Sequence, residues 1–183
     1  GGIAFVLITI IASVISSLFI ESWSPIYSLT LICTPLAVIG LIDDRLNLPA
    51  SLRYGAQLLT SIFIVINSSL TFFSNNFLEG FLFIPITLIA LTALINFINF
   101  MDGLDGLVAG CLIVSLFIPA LFLSHTLPIW SLIGALMGFL YWNWSPSKIF
   151  MGDVGSTFLG AFFGGLVLQA NEPSQALGLL LIP

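Results

Sequence analysis

The chain has 183 residues, of which 59% are hydrophobic and only 6% are charged, and its formal net charge is −5. Its mean hydropathy is +1.21. Soluble domains carry roughly 25% charged residues, so this chain lacks the charge that a water-soluble surface needs. The apolar residues are therefore expected to face lipid, as in an integral membrane protein.

The net negative charge of the chain argues against nucleic-acid binding, which needs clustered Lys and Arg. Cys33 and Cys111 lie in apolar runs and are predicted to be buried thiols.

Apolar runs of about the length of one membrane crossing recur along the chain. A spanning helix needs about 20 residues, and lengths of roughly 17 to 25 are usual. About seven complete runs precede an eighth that starts near residue 177, and they fall at about 3–20, 26–42, 52–68, 80–98, 106–124, 129–143 and 157–170. Because backbone in lipid must satisfy its own hydrogen bonds, each run is predicted to be a helix. The predicted fold is all-α: a polytopic transmembrane helical bundle forming one domain over 1–183.

If every helix crosses fully, the connections emerge on alternate sides of the membrane. The N-terminus and the connections around 43–51, 96–106 and 144–156 then share one side. All three cationic residues fall on that side: Arg45, Arg53 and Lys148. Positive charge favours the cytoplasm, so this side is predicted to be cytoplasmic.

The acidic residues divide in the same way. Five aspartates belong to the cytoplasmic set: Asp43, Asp44, Asp102, Asp105 and Asp153. Three glutamates fall singly on the other side and are predicted to be solvated loop charges: Glu21, Glu79 and Glu172. His125 also lies on that other side, so no catalytic role is predicted for it. Like charges about 4 Å apart repel by roughly 1 kcal/mol even in water. A divalent cation would offset this repulsion, and carboxylates alone suit Mg²⁺ rather than zinc.

Two of the acidic motifs follow predicted helices. Asp43-Asp44-Arg45 ends the second run and indicates either a reactive acidic pair or a charge cluster that reaches into water. In the segment from 96 to 106, Asn99, Asp102 and Asp105 lie three residues apart, so they would share one side of a helix. The alternative for this segment is a polar loop. Because polar and glycine residues interrupt an otherwise apolar stretch here, the functional interpretation is favoured.

A third motif, from Phe150 to Ser156, precedes the seventh predicted helix. Its glycines leave backbone N–H groups accessible near a helix N-terminus, a setting that favours phosphate. The alternative is a simple helix cap by Asp153 or Ser156. Elsewhere, two GxxxG spacings are predicted to serve helix packing: Gly134 with Gly138, and Gly160 with Gly164.

These three motifs, in this order and spacing, resemble those of the polyprenyl-phosphate sugar-1-phosphate transferases. That membrane family includes the undecaprenyl-phosphate N-acetylglucosamine-1-phosphate transferase and the phospho-N-acetylmuramoyl-pentapeptide transferase. The resemblance covers essentially the whole chain, from Gly1-Gly2 onward. It implies an enzyme of the bacterial inner (cytoplasmic) membrane that transfers a sugar-1-phosphate from a UDP-sugar, such as a UDP-N-acetylhexosamine, to polyprenyl (undecaprenyl) phosphate and releases UMP.

The resemblance also implies roles for single residues. Asp43 and Asp44 match the acidic pair implicated in handling the lipid phosphate and the metal. Asp153 matches the Mg²⁺-binding aspartate, so Asp153 and Asp44 are the predicted ligands of Mg²⁺, with Mn²⁺ as an alternative.

The remaining matches concern the substrates. Asn99, Asp102 and Asp105 match the loop that lines the nucleotide-sugar site. Arg53 falls where a basic residue would contact phosphates, and Lys148 is a weaker candidate. Catalytic roles are thus predicted for Asp43, Asp44, Asp102 and Asp105, and substrate binding for Arg53, Asn99 and Lys148. The residues leave open direct attack by the lipid phosphate and a covalent aspartyl intermediate; direct attack is favoured.

The chain departs from the family pattern at its ends. The family carries a histidine-containing cytoplasmic loop after a further membrane helix, and this chain stops before it, so we expect a fragment that lacks both ends of an active parent enzyme. Within the family, two segments resemble the enzymes that initiate O-antigen or related glycans more than they resemble the peptidoglycan enzyme. These segments are Asn99-Phe-Met-Asp102-Gly and the run 142–146.

The competing functional class is an ion or proton transporter, which would place acidic residues near mid-bilayer. The sequence leaves the oligomeric state open.

Overall fold

The computed structural model is built of helices over the residues that it describes. It describes residues 1–19, 24–68, 77–123 and 126–170, with 77–82 described by their backbone alone. Within these ranges the helices are α1 (Gly2–Phe19), α2 (Pro25–Leu46), α3 (Ala50–Ile66), α4 (Phe77–Met101), α5 (Leu107–Phe122), α6 (Leu127–Asn143) and α7 (Gly152–Val167). The same ranges contain no strand. The predicted all-α fold of a polytopic helical membrane protein is confirmed.

The helices differ in how easily they can cross a bilayer. Three of the described helical segments are long and apolar enough by length and composition: Gly2–Phe19, Pro25–Leu46 and Phe83–Met101. The helices α3, α5, α6 and α7 are also apolar and have 16 or 17 residues each. These lengths lie at or just below the lower limit of the usual range for a membrane crossing.

Three helices extend beyond their predicted apolar runs at the ends that carry polar motifs. The second helix continues to Leu46 instead of ending near 42, α4 continues to Met101 instead of 98, and α7 starts at Gly152 instead of 157. An apolar run marks only the lipid-facing part of a helix, whereas the backbone hydrogen bonds continue into the interface. Three motif aspartates therefore lie in terminal helical turns and not in loops: Asp43, Asp44 and Asp153.

The seventh helix is the buried centre of the bundle. Every residue from Val154 to Val167 is buried, and α7 packs against α1, α2 and α4 with smaller contacts to α3 and α5. A Cβ atom at Gly160 would lie 2.8 Å from the Cα of Ile95 on α4, so the predicted packing role of Gly160 and Gly164 is confirmed. A Cβ atom at Gly134 or Gly138 on α6 would meet no atom within 4 Å. For that pair, the described part of the chain does not show the predicted packing.

Several predicted features lie outside the described residues. They are the eighth span near residue 177, the loop residues Glu21, His125 and Glu172, and the side chain of Glu79. The two cysteines are described, and both are free thiols, with Cys33 fully buried and Cys111 partly buried.

Candidate active site

The polar motifs meet at one end of the bundle, around a small cavity. The C-terminal parts of α2 and α4, the N-terminal half of α3 and the first turns of α7 enclose about 280 Å³. Their polar residues that line it are Asp43, Arg53, Tyr54, Gln57, Asn96, Asn99, Asp153 and Thr157. A polar cavity in a protein that is 59% hydrophobic is the natural place to look for chemistry.

Two carboxylates and one guanidinium group form the charged centre of this cavity. The Nη1 atom of Arg53 lies 3.2 Å from Oδ2 of Asp43 and 3.9 Å from Oδ2 of Asp153. The Asp43 and Asp153 carboxyl groups also lie within hydrogen-bonding reach of each other. Asp43 is only 6% exposed, and its Oδ1 accepts a 2.6 Å hydrogen bond from the N–H of Leu48. The guanidinium group of Arg53 thus bridges the two acidic groups and offsets their repulsion.

An amide side chain orients the carboxylate of Asp153. Asn99, in the last turns of α4, donates through Nδ2 to Oδ1 of Asp153 at 2.8 Å and to Oγ of Ser156 at 2.9 Å. Its neighbour Ser156 is fully buried and donates in turn to the carbonyl of Gly152. The connection between Asn99 and Asp153 joins α4 to α7 across 54 residues of sequence.

Asp44 faces the N-terminus of α7. Its Oδ1 accepts the backbone N–H of Asp153 at 2.8 Å, and its Oδ2 accepts the N–H of Val154 at 3.4 Å. These are N–H groups that a helix cannot satisfy within its first turn, and a negative charge there also complements the helix dipole. Asp44 therefore caps α7 from another helix, and it does not line the cavity.

Two glycines allow α2 and α7 to approach this closely. Gly152 has a φ of +73°, and a Cβ atom there would lie 2.6 Å from Oδ2 of Asp44. A Cβ atom at Gly40, one turn before Asp44 on α2, would collide with the backbone of Asp153 and Val154. The sequence predicted that backbone N–H groups of the 150–156 segment would be accessible to phosphate. In the structure the helix starts at Gly152, and the N–H groups of Gly152, Asp153 and Val154 donate to the carboxylates of Asp102 and Asp44.

Asp102 lies behind Asp153, in the turn that follows α4. Its Oδ2 accepts the N–H of Gly152 at 3.2 Å. The pKa of this carboxyl is raised from 3.8 to about 6, chiefly because the group is buried. The hydrogen bond from Gly152 opposes this rise in pKa, and the negative charges of Asp153 and Asp44 add to it. Three of the predicted aspartates thus lie together at the start of α7: Asp44, Asp102 and Asp153.

Asp105 and Lys148 lie away from the cavity. The fourth helix ends at Met101, so Asp105 does not share a helical side with Asn99 as the spacing predicted for a helix. Asp105 is exposed and accepts the backbone N–H of Ser147 at 3.1 Å. The Nζ atom of Lys148 lies 5.4 Å from the centre of the Trp142 ring. Asp105 and Lys148 thus share one loop region beside the cavity and do not line it.

Four polar residues that line the cavity were assigned no role from the sequence: Tyr54, Gln57, Asn96 and Thr157. For two of them, helical spacing in the sequence could have predicted a position in the site. Gln57 lies one turn after Arg53 on α3, and Asn96 lies three residues before Asn99 on α4, so each shares a helix side with a predicted residue.

The donor set can be compared with the needs of a cation. Among the described residues, no group of three or more His, Cys, Asp or Glu side chains has metal-binding geometry. Magnesium is often held by one or two carboxylates together with waters and substrate phosphates. The facing carboxylates of Asp43 and Asp153 fit a magnesium site built from two carboxylates, waters and phosphates. Both oxygens of Asp44, by contrast, already accept backbone N–H groups.

Comparison with known proteins places this arrangement in a family. The chain is 36% identical over 197 residues to a phospho-N-acetylmuramoyl-pentapeptide-transferase of Prochlorococcus marinus strain NATL2A, covering 94% of this chain and 53% of that protein. It is 33% identical over 198 residues to a probable undecaprenyl-phosphate N-acetylglucosaminyl 1-phosphate transferase of Bacillus subtilis strain 168, covering 100% of this chain and 54% of that protein. The chain thus spans about half the length of these curated relatives. Residues 26–171 match the family model of glycosyl transferase family 4, and the chain belongs to this family.

Proposed function

We propose that the protein to which this chain belongs transfers a sugar-1-phosphate from a UDP-sugar to polyprenyl phosphate, releasing UMP. The observation that carries the proposal is the cluster of Arg53, Asp43 and Asp153 in a polar cavity at one end of an apolar helical bundle. Such a cavity can receive a charged nucleotide from water and a phosphate whose hydrocarbon chain stays in lipid. Family membership and the names of both relatives support this class of reaction.

In the proposed reaction an oxygen of the lipid phosphate attacks the sugar-linked phosphorus of the UDP-sugar. A new P–O bond forms, the bond to the oxygen shared with UMP breaks, and UMP leaves with that electron pair. The lipid phosphate is already anionic, so it needs little activation. Phosphoryl transfer depends mostly on positioning and on neutralising charge. We favour this direct attack over a covalent aspartyl intermediate.

The residues of the cavity can divide this work. Arg53 would contact phosphoryl oxygens, because it is the cationic residue among those that line the cavity. Asp43 and Asp153 would hold Mg²⁺ or Mn²⁺ together with substrate phosphates. A bound Mg²⁺ would supply further positive charge to the diphosphate. Asn99 would keep Asp153 oriented, and Asp44 would act by holding the start of α7.

We further propose that Asp102, Asp105 and Lys148 serve the nucleotide-sugar side of the site. Asp102 touches the backbone beside Asp153, and Asp105 and Lys148 belong to the neighbouring loops. The buried side chain of Asn143 ties those loops together, accepting from the N–H of Gly106 and donating to the carbonyl of Ile149.

The proposed donor is a UDP-N-acetylhexosamine, and the product would initiate a lipid-linked envelope glycan such as O-antigen. This proposal rests on the segment from Asn99 to Gly103 and the run 142–146, together with the N-acetylglucosaminyl transferase among the relatives. The site is proposed to face the cytoplasm of the bacterial inner membrane, because Arg45, Arg53 and Lys148 all lie at its end of the bundle.

The test uses membranes that contain the full-length parent protein, polyprenyl phosphate and Mg²⁺. Labelled UDP-N-acetylglucosamine, UDP-N-acetylgalactosamine and UDP-N-acetylmuramoyl-pentapeptide are supplied in parallel. We expect lipid-linked sugar and UMP from an N-acetylhexosamine donor, and no product from any donor would contradict the transferase proposal. Product from the pentapeptide donor alone would contradict only the choice of sugar. Release of UMP without lipid acceptor would contradict direct attack.

Two substitutions connect this activity to the site. Asp153→Asn and Asp102→Asn should each lower turnover by about 100-fold or more, as loss of an electrostatic group in an active site typically does. Both variants should insert in the membrane at normal levels. Asn67→Ala, at the opposite end of the bundle, is the matched control and should leave turnover unchanged. Full activity in both aspartate variants would contradict the proposed site.

The transporter alternative gains no support from the structure. In the described helices, the aspartates lie in terminal turns at one end and not near the middle of a helix. A transport pathway would need ionisable groups at intermediate depth.

A further inference from the structure

Gln57 is a polar residue deep in the wall of the proposed site. It lies one helical turn after Arg53 on α3, it lines the same cavity, and only 4% of its surface is exposed. A buried amide that lacks hydrogen bonds is costly, so its partners reveal what holds it there.

A reciprocal pair of hydrogen bonds links Gln57 to Asn96 on α4. Nε2 of Gln57 donates to Oδ1 of Asn96 at 3.2 Å, and Nδ2 of Asn96 donates to Oε1 of Gln57 at 2.6 Å. Nδ2 of Asn96 also donates to the carbonyl of Thr92 at 2.8 Å. Both N–H groups of Asn96 are therefore used.

The hydrogen bond to Asn96 uses only one of the two N–H groups of the Gln57 side-chain amide. No acceptor among the described residues takes the second N–H of Gln57. The paired bonds with Asn96 fix the plane of the Gln57 amide, so this second donor is held in place within the cavity wall.

A neutral donor at this position suits an anionic ligand. The charged residues that line the cavity are Arg53, Asp43 and Asp153, so the lining is not positive overall. A fixed amide N–H can donate to a phosphoryl oxygen without the desolvation cost of burying a second cation.

We propose that Gln57, oriented by Asn96, is a further substrate-binding residue whose second amide N–H donates to a phosphoryl oxygen in the cavity. This inference rests on the proposed function. The oxygen belongs to the lipid phosphate or to the nucleotide diphosphate, and kinetics with each substrate distinguish the two.

The experiment measures KM and kcat for both substrates in the purified full-length parent protein. Gln57→Leu should raise the KM for one substrate by about 10-fold to 100-fold, the usual effect of losing a hydrogen bond to a charged group. Asn96→Ala keeps the donor but releases its orientation, so it should raise the same KM by less. Ser61→Ala is the matched control, because Ser61 is a buried polar residue one turn further along α3 that does not line the cavity.

A double variant separates binding from a purely structural role. Gln57→Leu alone leaves Asn96 without its partner, which could loosen the contact between α3 and α4. Replacing both residues by Leu removes the pair together, a change that is often nearly neutral for stability. If the pair only ties helices, the double variant should recover the wild-type KM. If Gln57 binds substrate, the KM stays high although the thermal unfolding midpoint is normal.

The outcomes are separable from those of the proposed function. No turnover in the wild-type parent would contradict the transferase proposal and this inference with it. Normal wild-type turnover with unchanged KM values for both substrates in Gln57→Leu, or recovery in the double variant, would overturn only the role of Gln57.

Discussion

At the scale of single residues, the two neighbouring aspartates of α2 do different things. Asp43 points into the cavity and pairs with Arg53, whereas Asp44 accepts two backbone N–H groups at the start of α7. Successive residues of a helix point about 100° apart, so the side chains of Asp43 and Asp44 leave α2 in different directions. The sequence motif alone suggested a single acidic pair.

This difference predicts unequal effects of two substitutions at Asp44. Asp44→Ala leaves the N–H groups of Asp153 and Val154 without their cap and should cost about 1–2 kcal/mol of stability. Asp44→Asn keeps an oxygen acceptor, so it should lose less stability and less transferase activity than Asp44→Ala. Thermal unfolding in detergent and the transfer assay measure the two effects. If both variants were equally inactive and equally stable, the carboxylate charge itself would be required and the cap would not explain Asp44.

The raised pKa of Asp102 predicts a pH dependence of stability. Its pKa in the folded protein is about 6 against an ordinary value of 3.8, so the folded state binds this proton more tightly than the unfolded state. The stabilising contribution of protonated Asp102 is therefore complete below pH 4 and disappears as the pH rises through about 6. Thermal unfolding in EDTA should show this loss between those pH values in the wild type. The Asp102→Asn variant cannot ionise, so it should lack this component, and identical pH profiles would contradict the burial of an ionised Asp102.

At the scale of helices, the packing of α2 on α7 positions the charged centre. Gly40 on α2 lies against the backbone of Asp153 and Val154, and backbone atoms cannot rotate away as a side chain can. The separation of the two helices at this point is thus set by the absence of a side chain.

Gly40→Ala should therefore disturb both stability and activity. The added methyl group forces α2 and α7 apart, and overpacking of this kind typically costs about 1–3 kcal/mol. Separation of Asp153 from Asp43 should also lower transfer activity. Gly55→Ala is the matched control on α3, because a Cβ atom there meets nothing within 4 Å and alanine favours helix. Thermal unfolding and turnover of the two variants test this, and equal behaviour of Gly40→Ala and Gly55→Ala would contradict it.

The helices also show how far the sequence could predict the site. Alternation of crossings was enough to place Asp43, Asp102 and Asp153 at one end, because that conclusion needs only the order of apolar runs. The same reasoning could not separate Asp105 from the other aspartates, because the position of Asp105 depends on α4 ending at Met101. The sequence also could not predict the amide pair of Gln57 and Asn96, because the contact between a polar residue of α3 and one of α4 depends on how the two helices pack.

At the scale of the whole molecule, one consequence of alternate crossings remains to be tested: the sides on which the connections emerge. The site end of the bundle carries the connection after α2 and the loop before α7, whereas the C-terminal end of α3 and the start of α6 lie at the other end. All three cations lie at the site end, so that end should face the cytoplasm.

Single cysteines can report these positions in a full-length parent protein whose native cysteines have been replaced. Asn47→Cys and Ser147→Cys mark the site end, and Ser68→Cys and Thr126→Cys mark the other. A maleimide that cannot cross membranes should label the second pair in cells whose outer barriers admit it but whose inner membrane is intact. It should label the first pair only after that membrane is permeabilised, and retained transfer activity in each variant shows that the fold is intact. The opposite pattern would put the site on the external side, where UDP-sugars are not supplied. A mixed pattern within either pair would mean that one of the shorter helices does not cross, because residues at one end of a fully crossing bundle must share one side of the membrane.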